Sequence, residues 1–148
     1  RRKGSLRNTI IAMIPVTSRI HRILKSMPRF KNSEAPETKE LILKLNLKDD
    51  IHGIYFNDQD VDPRYILIGE TGLHCVNEST VREISYATIA STILPEKTGE
   101  KSLGIRFKNR SELNLIVSGV QHERFYDVFE FSRFVDRVVE DLRKNKTN

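Results

Sequence analysis

The chain of 148 residues has one cysteine, no tryptophan and no apolar run longer than five residues, and each shortage excludes something. A lone Cys75 cannot build a disulfide framework or a cysteine-based zinc site. The longest apolar run, Ile10–Ile14, stops at Pro15 and falls far short of the roughly 18 residues a membrane-spanning helix needs. It is also short for the hydrophobic region of a signal peptide, and no small-residue cleavage site follows it, so none is expected. Acidic residues are missing from the first 33 positions, which carry nine cations: Arg1, Arg2, Lys3, Arg7, Arg19, Arg22, Lys25, Arg29 and Lys31. The rest of the chain holds the other sixteen cations against all twenty acids. The pI near 9.4 is therefore a property of the N-terminal segment, and the body is mildly acidic.

What is present suffices for one folded domain. At this length folding buries roughly 68–70% of the unfolded chain's surface, and seven Phe and four Tyr join many Ile, Leu and Val to fill a core. From Pro15 onward, Val16, Ile20, Ile23, Leu24 and Met27 recur on one helical face, with Arg19, Arg22 and Lys25 off it. Pro15 suits a first helical turn and Pro28 ends the helix. Residues 28–38 read as a linker. In 39–47, Leu43, Leu45 and Leu47 alternate with Lys44 and Asn46, which favours a strand, although Glu40–Leu45 also fits a helical turn.

Beyond Asp50 the pattern turns to β. Ile51–Phe56, Arg64–Ile68, Leu73–Val76, Val81–Tyr86 and Ile89–Leu94 are short runs rich in β-branched and aromatic residues, separated by turn-forming stretches. Leu103/Ile105/Phe107 and Leu113/Leu115/Val117 keep a period of two, as half-buried antiparallel strands do. Gly69 and Gly72 bracket a tight hairpin and are expected to supply positive φ. The period then changes: Val128, Phe131, Phe134, Val135, Val138 and Leu142 form a helical stripe with a charged outer face. About seven antiparallel strands and one closing helix make an α+β fold in which a twisted sheet curls toward a barrel and the helix plugs the open corner.

Three stretches carry a resemblance. The hairpin Tyr65-Ile-Leu-Ile-Gly-Glu-Thr-Gly-Leu-His-Cys-Val76, the segment Val81-Arg-Glu-Ile-Ser-Tyr-Ala-Thr-Ile-Ala-Ser-Thr-Ile93 and the closing helix together resemble the bacterial pleckstrin-homology-like (PH-like) domains, over roughly residues 48–143. The resemblance implies a PH-like antiparallel β-barrel over 39–148, preceded by a basic segment of residues 1–38 with its own helix. It brings no catalytic signature. Eukaryotic members of the wider group hold phosphoinositide headgroups on Lys and Arg of the first strand–strand loop. The matching loop here, Asn57–Pro63, presents Asp58, Asp60 and Asp62, which repel phosphate.

Candidate sites are few. His74 and Cys75 are adjacent, so on a strand they point to opposite faces, one to the core and one to solvent, which prevents a nucleophilic Cys–His pair. Asp58, Asp60 and Asp62 mimic the opening of a calcium loop, but Pro63 and Gly69 stand where Gly and the bidentate Glu are required. Arg106, Lys108 and Arg110 could form a small anion patch; outward alternation on a half-exposed sheet gives the same residues. Arg19, Arg22, Lys25, Arg29 and Lys31 are the candidate membrane or anion contacts. On one reading the apolar face of their helix enters a lipid interface while the cations meet anionic headgroups; on the other that face packs against the body. His21, His52, His74 and His122 are scattered, and neither a catalytic set nor metal-ligand spacing is visible.

The expectation is a non-enzymatic binding module without cofactor or metal, located in the cytoplasm. It would engage a protein partner through a strand edge or the side of its helix, and the inner face of an anionic membrane through its basic helix. The alternative is a structural subunit that pairs with copies of itself. Nucleic acid is disfavoured, because Phe30 is the one aromatic among the N-terminal cations and no stacking platform exists.

Overall fold

The computed structural model describes residues 15–78, 80–97, 99–121 and 125–147. The basic lead-in of residues 1–8, the 10–14 run and His122 lie outside them. Helix α1 (Val16–Arg19) runs directly into a π-helical turn (Ile20–Leu24), in which the Lys25 N–H reaches the Ile20 carbonyl. The extra residue in that turn keeps Ile20, Ile23, Leu24 and Met27 on one side, and all four are buried. Strand β1 (Phe30–Asn32) follows, then helix α2 (Pro36–Leu45).

The expected linker gives way to β1 and the start of α2, and of the two readings left open for 39–47 the helical one holds through Leu45. Pro36 sits in the first helical turn, where its missing N–H costs nothing, and Glu37 there complements the helix dipole. Asn46 ends the helix in the left-handed conformation, φ 50°. Leu41 and Leu45, one turn apart, face the sheet, whereas Leu43, part of the alternation that suggested a strand, is 80% exposed.

The strands foreseen from Ile51 onward are all present and antiparallel. Strands β2 (Ile51–Phe56), β3 (Tyr65–Gly69), β4 (Gly72–Asn77) and β5 (Thr80–Ser85) follow β1 in one five-stranded sheet, in sequence order. After a 3₁₀ turn (Tyr86–Thr88), strands β6 (Ile89–Ile93), β7 (Ser102–Phe107) and β8 (Glu112–Ile116) make a second sheet. Strands β9 (Val120–Gln121) and β10 (Phe125–Tyr126) form a short ribbon before helix α3 (Asp127–Thr147). The observed architecture is therefore α+β, with sheets of five, three and two strands and a C-terminal helix. Among the described residues no ladder joins the five-stranded sheet to the three-stranded one.

Side chains bridge the seam instead. The Asn57 side chain, just past β2, donates to the Ile116 carbonyl at 2.7 Å and accepts the Ser118 N–H at 2.7 Å, while the Asp58 N–H donates to Ser118 Oγ at 2.9 Å. Nearby, the Tyr55 hydroxyl donates to buried Asp127 at 2.7 Å and accepts the Gly119 N–H. A Cβ on Gly119 would collide with both side chains. On the far side, α3 packs against β6, where Phe131 and Phe134 meet Tyr55 and Tyr86 edge to face.

The main core runs through both ends of the chain. Val16, Ile20, Ile23, Leu24, Met27 and Phe30 belong to the same cluster as the α3 stripe and the inner faces of both sheets. The division expected at residues 38/39 is thus not a division in packing. A second, smaller cluster lies on the outer face of the five-stranded sheet, where Ile54, Leu67 and Val76 are covered by Leu41, Leu45 and Leu47. Gly69 and Gly72 do not use positive φ. They are needed for close approach: a Cβ on Gly72 would meet the backbone of Ile84 and Ser85, and one on Gly69 would meet Asp49.

Candidate functional site

Each candidate cation has a definite place. Arg19 lies off the apolar stripe and forks onto Asp141 of α3, Nε to Oδ2 and Nη2 to Oδ1, both at 2.7 Å. The pair is largely shielded, with side chains 16% and 6% exposed, and the hydrogen bond to Asp141 holds the guanidinium more firmly charged than usual. Arg29 is tied at 2.7 Å to Asp58 of the acidic turn and at 3.3 Å to the Phe56 carbonyl. Arg22, Lys25 and Lys31 are exposed and make no ion pair among the described residues. The five candidates therefore separate into two structural ties and three free surface charges.

The apolar face of this segment has one energetic consequence. Burying an aliphatic or Met side chain is worth about 1.5–3 kcal/mol, so Val16, Ile20, Ile23, Leu24 and Met27 together hold on the order of 10 kcal/mol, an upper figure. In this structure that face lies in the main core and is not presented at the surface.

The second candidate patch divides in the same way. Arg106 pairs across the strands with Glu112 at 3.2 Å. Lys108 and Arg110 are exposed in the β7–β8 turn, with Arg110 at φ 75°. Lys108 borders an open groove of about 450 Å³ that Ala87, Thr88 and Phe107 also line. The acidic turn carries Asp60 and Asp62 exposed, and no metal-holding group of three or more His, Cys, Asp or Glu occurs among the described residues.

His74 and Cys75 do point to opposite faces, but both are buried. Cys75 lies in the main core, and burial pushes its thiol up to about 12. His74 is on the outer face under Asp49, whose Oδ2 is 2.8 Å from its Nε2, with Glu83 at 3.8 Å from Nδ1. Burial opposes ionisation of Asp49, yet hydrogen bonds from His74 and the Thr71 N–H hold its carboxyl below the usual carboxylate range. His52 and Glu70 form a similar contact at 2.7 Å. No local pattern announces these pairs, whose members are brought together only by the β2–β3–β4 register. Burial likewise pushes the Tyr55 hydroxyl upward, with its bond to Asp127 adding to the shift. His74, Asp49, His52, Glu70 and Tyr55 are each committed to a partner inside the fold.

The two larger sheets end in β1, β5, β6 and β8, and β1 is only 3 residues long. The free side of β6 is covered by α3: the Thr92 N–H donates to Asp136 at 3.2 Å, and the Ala90 carbonyl accepts from Arg143 at 3.2 Å. The end of β8 is held by Asn57. Strand β5 pairs only with β4, and its residues 80–83 are all exposed, Val81 at 39%. Apolar surface is also exposed at Val120, Phe125 and Phe129, around the β9–β10 ribbon and the start of α3.

No family model, curated protein or solved structure matches the chain.

Proposed function

We propose that the chain is a non-enzymatic binding module with a PH-like arrangement, which engages a protein partner through its sheet edge and touches an anionic membrane surface through Arg22, Lys25 and Lys31. The order of β2–β5, β6–β8 and a helix that plugs the corner between two antiparallel sheets supports the PH-like reading. The observation that carries the binding reading is β5, a strand of 6 residues with an unpaired, exposed edge, where β6 is covered by α3, β8 is held at its end by Asn57 and β1 is only 3 residues long. The alternative, a structural subunit of a homo-oligomer, would use such an edge between copies.

Deleting residues 1–31 is not a clean test, because it would strip the main core. The suitable variant is R22E/K25E/K31E, which changes exposed side chains alone. Co-sedimentation with anionic and neutral vesicles, with light-scattering mass on both proteins, separates the readings. The expected result is a mass near 17.2 kDa, binding of the parent chain to anionic vesicles only, and loss of that binding in the variant. A mass that climbs with concentration overturns the reading in favour of self-assembly. Equal binding of parent and variant removes the membrane role from these three cations.

A further inference from the structure

Resting on that binding reading, we propose that the β5 edge rejects a second folded copy and accepts an extended segment of another protein, one that reads apolar–basic–acidic–apolar along its length. The argument begins with which face each β5 side chain occupies. The register sets Arg82 opposite Cys75 and Ile84 opposite Leu73, on the inner face of the sheet. Val81 opposes Val76 and Glu83 opposes His74, on the outer face. Side chains directly opposite each other in an antiparallel pair share a face.

For two folded copies related by a two-fold axis through the sheet, inner-face residues must therefore meet inner-face residues. The two registers that overlap nearly the whole strand then place Arg82 against Arg82 or Glu83 against Glu83. Like charges directly opposite are destabilising, and charge on an edge strand is a recognised barrier to edge-to-edge pairing. The register that would match Arg82 with Glu83 requires an inner-face residue to meet an outer-face one, which two folded sheets cannot arrange.

An extended segment with no sheet of its own escapes this constraint. Lying antiparallel to β5, it can set an acid opposite Arg82, a base opposite Glu83, and apolar residues opposite Val81 and Ile84. Both charges are free to respond: Arg82 is exposed without an ion pair among the described residues, and the Glu83 side chain is 67% exposed with only the 3.8 Å approach to His74. The sequence Thr-Val-Arg-Glu-Ile-Ser of β5 itself, as a free peptide, has this pattern.

The test uses that peptide, capped at both ends, titrated into the isotope-labelled full chain and followed by backbone amide shifts. A control of identical composition exchanges its Arg and Glu. The expected result is shifts confined to residues 80–85 and their β4 partners, with the control binding about five-fold or more weakly. The variant R82E/E83R should invert the preference. Shifts elsewhere, no shifts at millimolar peptide, or equal binding of the two peptides overturns the proposal. So does an R82E/E83R chain that keeps the parent preference. In a separate arm, R82T/E83T removes the like-charge clash and should give a mass that rises with concentration; an unchanged mass overturns the self-rejection. A monomeric parent that ignores both peptides loses the proposed segment pattern, while engagement of a partner of other sequence at the edge stands. A parent that self-associates loses the broader reading first.

Discussion

Helices α1 and α2 lie within thirty residues of each other, yet they stand in opposite relations to the molecule. The segment from α1 through the π turn puts Val16, Ile20, Ile23 and Leu24 into the main core and is fastened to α3 by Arg19 and Asp141. Helix α2 covers the outer face of a sheet, contributes half-buried Leu41 and Leu45, and has Thr38 as its one buried residue. One helix is part of the fold's interior; the other is a cover laid over it. The lesson is that the basic character of the N-terminal segment says little about its job, because its apolar side decides where it sits.

The largest effect should come from truncating the interior helix. Leu24→Ala, at a site with no exposure, is expected to cost about 2–5 kcal/mol in denaturant unfolding. Leu41→Ala, on the cover, should cost clearly less; equal losses would erase the distinction between the two helices. A smaller effect is expected where the cover's trailing loop is tied to the sheet. Asp49→Asn should cost about 1–3 kcal/mol near neutral pH, since it leaves buried His74 without its ionised partner. The folded-state carboxyl of Asp49 titrates below its unfolded value, so its contribution is complete above that unfolded value, about 3.9. It is lost as pH falls through the lower folded value. Unfolding curves from neutral pH down to about pH 3 should therefore converge for parent and variant toward the acid end; a constant gap would show that Asp49 acts through shape and not charge. The smallest effect belongs to Leu43→Lys, which should stay within about 0.5 kcal/mol of the parent because the side chain is in water. A large loss there would mean that α2 is buried by something beyond this chain.

The same contrast explains what could be read from the residues. The α1 stripe and the α3 stripe were legible because one-sided burial imposes a helical period, and the strands from Ile51 onward because short β-branched runs end at polar turns. Over 39–47 the sequence left strand and helical turn open, and the helix prevails; its contact with the sheet is narrow, so with Leu43 exposed, Leu43, Leu45 and Leu47 mimic a strand's alternation. The surface charges were visible but their fates were not, since Arg19 and Arg29 find Asp141 and Asp58 only through tertiary packing. The His74–Asp49 and Tyr55–Asp127 pairs had no local signal at all. The strand Val81–Tyr86 was legible, but that its far side is left unpaired shows only in the sheet order.

The covering of β6 by α3 also has a consequence in time. Residues 89–93 leave the ribosome well before Asp136 and Arg143, the side chains that occupy their free backbone groups, and before Ser132, which meets the Thr92 hydroxyl. At about 5–20 residues per second, the interval in which that edge stands bare lasts several seconds. The core that α1 enters also waits for α3. A growing chain is therefore most exposed to pairing with its neighbours just before α3 arrives, and slowing synthesis over residues 94–142 should lower the yield of correctly folded protein.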